Sequence, residues 1–181
     1  MEKRQKIFRL GLYLTLVLLV LAGAPAAQGQ DRIERFMDQQ RWGDFTWGAY
    51  GSSREYSKMG REEIVARENY CPTGGCVLRL ESVEVKPSRA RQGDRLTLGA
   101  TYTILTPEQV AIPVIVSREI LFQGKSLGNT KSIDSRQYNG SWSQEVEFTI
   151  PRDAAPGDYT LRTRVSTGYD RQEKEVRFQV Y

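Results

Sequence analysis

The sequence of 181 residues contains no histidine. That absence removes His-ligated zinc, copper and haem, and every Ser–His or Cys–His nucleophile pair. No segment repeats at a fixed period, which argues against a solenoid. The acids Asp134, Asp153, Asp158 and Asp170 are scattered and lack calcium-loop spacing. No two carboxylates stand out as a hydrolytic pair. No catalytic residue, metal site or cofactor is therefore assigned, and the chain is expected not to be an enzyme.

Long apolar runs are equally scarce. The one that counts is Leu10 to Ala22, 13 residues, preceded by the bases Lys3, Arg4, Lys6 and Arg9. Small residues and Pro25 follow, and Ala24-Pro25-Ala26 and Ala27-Gln28-Gly29 both fit the small-residue demand of a signal peptidase. A membrane-spanning helix needs about 20 apolar residues. Residues 1–29 are therefore read as a cleavable secretory signal peptide. The alternative is an uncleaved anchor through residues 10–27, the only route by which the chain would meet a membrane. No cysteine lies near the cleavage region, which argues against a lipoprotein anchor.

Charge of one sign is also lacking once that segment is set aside. The whole chain carries 26 Lys+Arg and 22 Asp+Glu, a net of +4. Residues 1–29 hold four of those bases and one acid, which leaves 22 bases and 21 acids. A nearly neutral mature chain offers no electrostatic case for a nucleic-acid partner.

Cysteine is limited to Cys71 and Cys76, in Cys71-Pro72-Thr73-Gly74-Gly75-Cys76. In an exported chain such a pair is expected to form a disulfide, here a local staple at the start of the β region. A redox-active dithiol is the sharper alternative, but the spacing is not that of Cys-x-x-Cys at a helix start.

What is present divides in two. Residues 30–76 read as an arm. Ile33, Phe36 and Met37 lie at helical spacing after Asp31. Trp42 to Ser53 is aromatic and glycine-rich, without a period. Ser53 to Glu68 is expected to form a second short helix, weakened at Gly60. Deleting residues 30–70 should then leave a folded β domain.

Residues 77–181 show period-two alternation punctuated by glycine and proline. Leu78 and Leu80 share one parity and Val83 and Val85 the other, so a bulge or a change of sheet is expected near Glu81-Ser82. Leu96, Leu98, Ala100, Tyr102 and Ile104 should face inward. The run from Val110 to Phe122 also alternates, except that Arg118 occupies an inward position. Either a bulge resets the register there, or the arginine is partly buried with an acid. Pro113 argues for an edge or a broken strand. Leu127 to Ser132 reads as a short edge strand. Trp142–Ile150, Tyr159–Val165 and Val176–Val180 supply the last strands, with a hairpin tip at Thr167–Arg171. The fold class is all-β, an antiparallel sandwich.

Val85-Lys86-Pro87, Gln92 to Leu98, Phe148-Thr149-Ile150-Pro151 and Ala155 to Leu161 together resemble bacterial immunoglobulin-like domains, the cell-adhesion-related and fibronectin-like modules. The likeness covers roughly residues 83–180. It implies an immunoglobulin-like β-sandwich with a tyrosine corner at Tyr159, and extracytoplasmic binding or assembly. It implies no active residues.

Trp42, Phe45, Trp47 and Tyr50 are the main candidate binding residues, as adaptable contact surface or as packing over the sandwich. Trp142, Tyr138, Asn139 and Tyr169 are loop candidates, and Asn139-Gly140-Ser141 fits the N-glycosylation pattern. Arg89, Arg91 and Arg95 could hold an anion, though a solvated loop is the plainer account. Arg162 and Arg164 with Glu173, Glu175 and Arg177 form either an ion-pair ladder or a docking face. The expected function is a periplasmic or secreted binding or assembly module with an envelope or extracellular protein as partner. A glycan-binding module using Trp42, Trp47 and Trp142, or an enzyme inhibitor, is the alternative.

Overall fold

The computed structural model describes residues 48–71 and 74–181. Residues 1–29, Trp42, Phe45 and Trp47 lie outside the described residues. None of the described helices is long and apolar enough to cross a membrane.

The described chain runs β1 (Ala49–Met59), α1 (Arg61–Glu68), β2 (Val77–Lys86), β3 (Arg89–Ala90), β4 (Arg95–Leu105), β5 (Ile112–Phe122), β6 (Lys125–Gln137), β7 (Gly140–Thr149), β8 (Gly157–Ser166) and β9 (Arg171–Val180). Four strands form one sheet in the order β1-β7-β4-β2, and five form a second in the order β3-β9-β8-β5-β6. All pairings are antiparallel except β3 with β9. The sheets pack face to face as a β-sandwich. Leu78, Leu80, Ala100, Tyr102 and Ile104 of the first sheet meet Ile112, Val114, Val116 and Val165 of the second.

Period-two patterning explains most of this. The inward residues expected on β4 are all buried. The parity switch in β2 is a register shift between Leu80 and Ser82, as the opposed parities required. The β5–β6 hairpin turns at Gln123 and Gly124, both at positive φ (51° and 78°). This two-residue turn suits the twist of the flanking strands.

Four expectations need correction. Residues 53–59 are not helical. They belong to β1, which pairs with β7 from Ala49↔Thr149 to Met59↔Ser141. Helix begins only at Arg61, where the Glu63 carboxylate accepts the Gly60 N–H at 3.2 Å. Asn69 ends it in the left-handed conformation. The sandwich therefore draws its first strand from the segment read as an arm. Pro113 is not on an edge strand, because β5 lies between β8 and β6. Its missing N–H is tolerated because β5–β8 pairing starts only at Ile115. The edge strand β6 has 13 residues rather than six. Finally, Cys71 and Cys76 are exposed and not joined by a disulfide. The loop is held instead by its backbone, with the Gly74 N–H donating to the Cys71 carbonyl at 2.7 Å.

Tyr159 closes the Pro151–Pro156 corner, as expected. Its hydroxyl donates to the Ala155 carbonyl at 2.7 Å. Its ring lies between Phe122 and Phe178, with centroids 4.6 and 5.5 Å away. Tyr159→Phe keeps the ring and removes one hydrogen bond, so urea denaturation should report a loss of about 1 kcal/mol. A loss of several kcal/mol would mean that the hydroxyl organises the corner as a whole.

Candidate functional site

Two arrangements set this sandwich apart from a purely apolar one. The first is a polar seam between the sheets beside β1. Arg118 keeps its inward position on β5 and is 0% exposed. Its Nη1 donates to the Gln144 side-chain oxygen at 2.7 Å and its Nη2 to the Gln144 carbonyl at 3.0 Å. Gln144 then passes the interaction on, donating through Nε2 to Glu55 Oε1 at 3.3 Å. The Glu55 carboxylate also accepts the Tyr102 hydroxyl at 2.5 Å and Gln137 Nε2 at 2.6 Å. A cation and an anion are thus bridged by one amide. Burial pushes the Arg118 pKa down to about 10, against the nearby Tyr50, Tyr102 and Glu55 that favour its charge. It stays protonated at neutral pH. Burial, followed by the Glu55 hydrogen bond, pushes the Tyr102 hydroxyl up. Of the two readings of Arg118, the structure shows the buried one, but its direct partner is the Gln144 amide, and the acid, Glu55 of β1, lies one hydrogen bond further on.

Tyr50 belongs to this seam. Its hydroxyl donates to the Arg118 carbonyl at 3.3 Å, and its ring meets Phe148 edge-on at 5.1 Å. Gly48 makes this approach feasible. It has φ +75°, and a Cβ there would fall 2.2 Å from Phe148 Cζ.

The second arrangement is a rim at one end of the sandwich. The β4–β5 loop, the β6–β7 turn and the β8–β9 tip share that end, because Ile112 pairs with Gln137 and Ile115 with Ser166. Each connection exposes a large apolar side chain: Val110 (52%), Tyr138 (62%) and Tyr169 (62%). Ile115 (44%) adds to it from the outer face of β5. These connections are pinned by hydrogen bonds. Asn139 Oδ1 accepts the Thr106 N–H and hydroxyl, both at 3.0 Å, and its Nδ2 donates to the carbonyls of Thr106 (2.9 Å) and Glu108 (3.2 Å). Trp142 Nε1 donates to the Tyr138 carbonyl at 2.9 Å. The Thr167 hydroxyl accepts the Tyr169 and Asp170 N–H groups, each at 3.2 Å.

These contacts reassign several sequence candidates. Asn139 is buried and its amide ties two loops together, so it is not presented as a glycan acceptor. Trp142 is partly buried against the core and supports Tyr138 from beneath. Tyr169 lies on the exposed tip, 62% accessible. Tyr50 and Tyr169 are at different places, one in the seam and one on the rim. Arg89 and Arg91 sit over the Tyr181 ring, 5.8 and 5.7 Å from its centroid, at the opposite end.

The charged face of β8 and β9 is an ion-pair ladder. Arg162 bonds Glu175 at 2.8 Å and Arg164 bonds Glu173 at 2.6 Å. Exposed pairs of this kind contribute little, about 0–1 kcal/mol each.

Helix α1 caps the outer face of the first sheet. Ile64 is fully buried, Arg67 pairs with Glu81, and Glu68 pairs with Arg79 at 2.6 Å. Burial pushes the Glu81 carboxyl up. The hydrogen bonds from Arg67 and Thr103 outweigh it and hold the pKa below the ordinary value. A carboxyl depressed in the folded state stabilises above its unfolded pKa, and that contribution is lost as pH falls through the folded value. Amide protection factors in α1, corrected for the intrinsic pH dependence of exchange, should therefore fall below about pH 4, the ordinary carboxylate range. Glu81→Gln should flatten that dependence; an unchanged profile would assign it to another acid.

No family model matches the chain, and no curated protein matches it. Solved structures do. The C-terminal domain of wzt is 13% identical with a TM-score of 0.44, over 72% of this chain and 78% of that one. A Pseudomonas fluorescens alkylpurine DNA glycosylase bound to DNA is 17% identical with a TM-score of 0.43, over 57% of this chain and 30% of that one. A family 123 glycoside hydrolase from Clostridium perfringens is 12% identical with a TM-score of 0.41, over 60% and 27%. The chain thus spans less than a third of the length of either enzyme.

Proposed function

We propose that this chain is an exported, non-enzymatic binding module with an immunoglobulin-like domain, which holds a protein partner of the cell envelope or exterior at its loop end. The observation that carries this reading is the convergence of Val110, Tyr138 and Tyr169, exposed on three separate connections at one end. Apolar and tyrosine side chains on pinned backbone are good anchors, because little conformational freedom is lost when a partner covers them.

The strand order supports the immunoglobulin-like part. With β2, β4, β5, β6, β7, β8 and β9 taken as A, B, C, C′, E, F and G, the sheets read E-B-A and G-F-C-C′. β1 takes the place beside E that strand D holds in the constant-type arrangement. The rim then corresponds to the end whose B–C and F–G loops carry recognition in variable domains. The tyrosine corner at Tyr159 agrees. Export, to the periplasm or the exterior, rests on residues 1–29.

Photo-crosslinking in the native envelope tests this reading. A benzophenone side chain at position 138 or 169 should give an adduct of defined mass, and one at Gln123, at the other end, should not. Equal labelling from both ends, or none from the rim, would refute it.

A further inference from the structure

Several buried polar atoms lack partners among the described residues, and two of them face each other across neighbouring strands. Arg118 Nε is buried without a hydrogen bond, and so is Thr163 Oγ1. They are not scattered. Arg118 and Thr163 are directly paired across β5 and β8, and both side chains are 0% exposed on the inner face. The two other guanidinium nitrogens are occupied by Gln144. An unsatisfied buried donor and an unsatisfied buried hydroxyl are both costly, and native interiors rarely leave such groups unpaired.

We propose that Arg118 Nε and Thr163 Oγ1 form a buried hydration site, in which one ordered water accepts the Nε–H and bonds the hydroxyl. The Nε–H can only donate, so the occupant must accept. Water does so and stays neutral, and internal waters of this kind are regular parts of protein interiors. An anion would also accept. However, Glu55 already faces this guanidinium through Gln144. A second negative charge would leave the interior with one charge uncompensated, which is costly. The water completes the seam: it extends the chain Glu55–Gln144–Arg118 to β8, so that four strands share one hydrogen-bonded line.

The test is a crystal structure of the full chain, with a bromide-soaked crystal beside it, and oxygen-17 relaxation dispersion in solution. Density within hydrogen-bond distance of both atoms is expected, with no anomalous bromide peak. Thr163→Val should lower the dispersion by about one long-lived water, and Thr163→Ser should keep it. A direct bond between Thr163 and Arg118 without intervening density would overturn the proposal. So would a bromide peak at the site, or equal dispersion in folded Thr163→Val.

Discussion

A chain that begins at Val77 is expected not to fold. Far-ultraviolet circular dichroism should lose its sheet signal, and urea should produce no cooperative transition. The reason is the number of interior groups that residues 48–70 complete. β1 pairs along the whole of β7 and makes β7 an interior strand. Tyr50 covers Phe148. Ile64 fills the outer face of the first sheet at 0% exposure; removal of a buried aliphatic of this size costs about 2–5 kcal/mol. Loss of Glu55 strips the only carboxylate bonded to the seam among the described residues. Small domains are stable by about 5–15 kcal/mol, so the combined loss exceeds what the remaining strands can absorb. A soluble, cooperative 77–181 fragment would show that β1 and α1 are accessories.

The second large effect is a single substitution. Glu55→Ala should destabilise the domain by about 2–4 kcal/mol, because a half-buried carboxylate that accepts several charge-assisted hydrogen bonds is lost. The carboxylate takes three hydrogen bonds, from Tyr102, Gln137 and Gln144, and all three donors are left short. Arg118 is then a buried cation with no anion facing it. Arg118→Met removes the cation and replaces it with an apolar chain of similar length. The double variant should therefore lose clearly less than the sum of the two singles. Additive losses by urea denaturation would mean that Glu55 acts only through its own hydrogen bonds.

How far these features could be read in advance differs from strand to strand. β4, β7, β8 and β9 were plain, because strict alternation leaves one way to bury Leu96, Leu98, Val146, Phe148, Leu161 and Phe178. The bulge in β2 was equally plain from the opposed parities of Leu80 and Val83. β1 was hidden. It is mostly polar, and register shifts after Tyr50 and Ser57 break its period. Its partner, β7, also lies about 90 residues away, beyond any local pattern. The seam was half visible: Arg118 stood out at an inward position, but Glu55 lay in a segment read as helix. The rim was visible in Tyr138 and Tyr169. Val110 and Ile115 were not part of it, since both fall in a run that reads as continuous strand.

β1 has a mechanical consequence as well. Gly48 joins it at the end opposite the rim, and eleven extended residues span about 36 Å. If a partner held at the rim and the chain before Gly48 are drawn apart, the force runs along β1. Its rungs to β7 then bear the load side by side, in shear, and cannot be peeled off one at a time. With its charge locked under Gln144, this strand is placed to resist pulling far better than its polar sequence and marginal position would suggest.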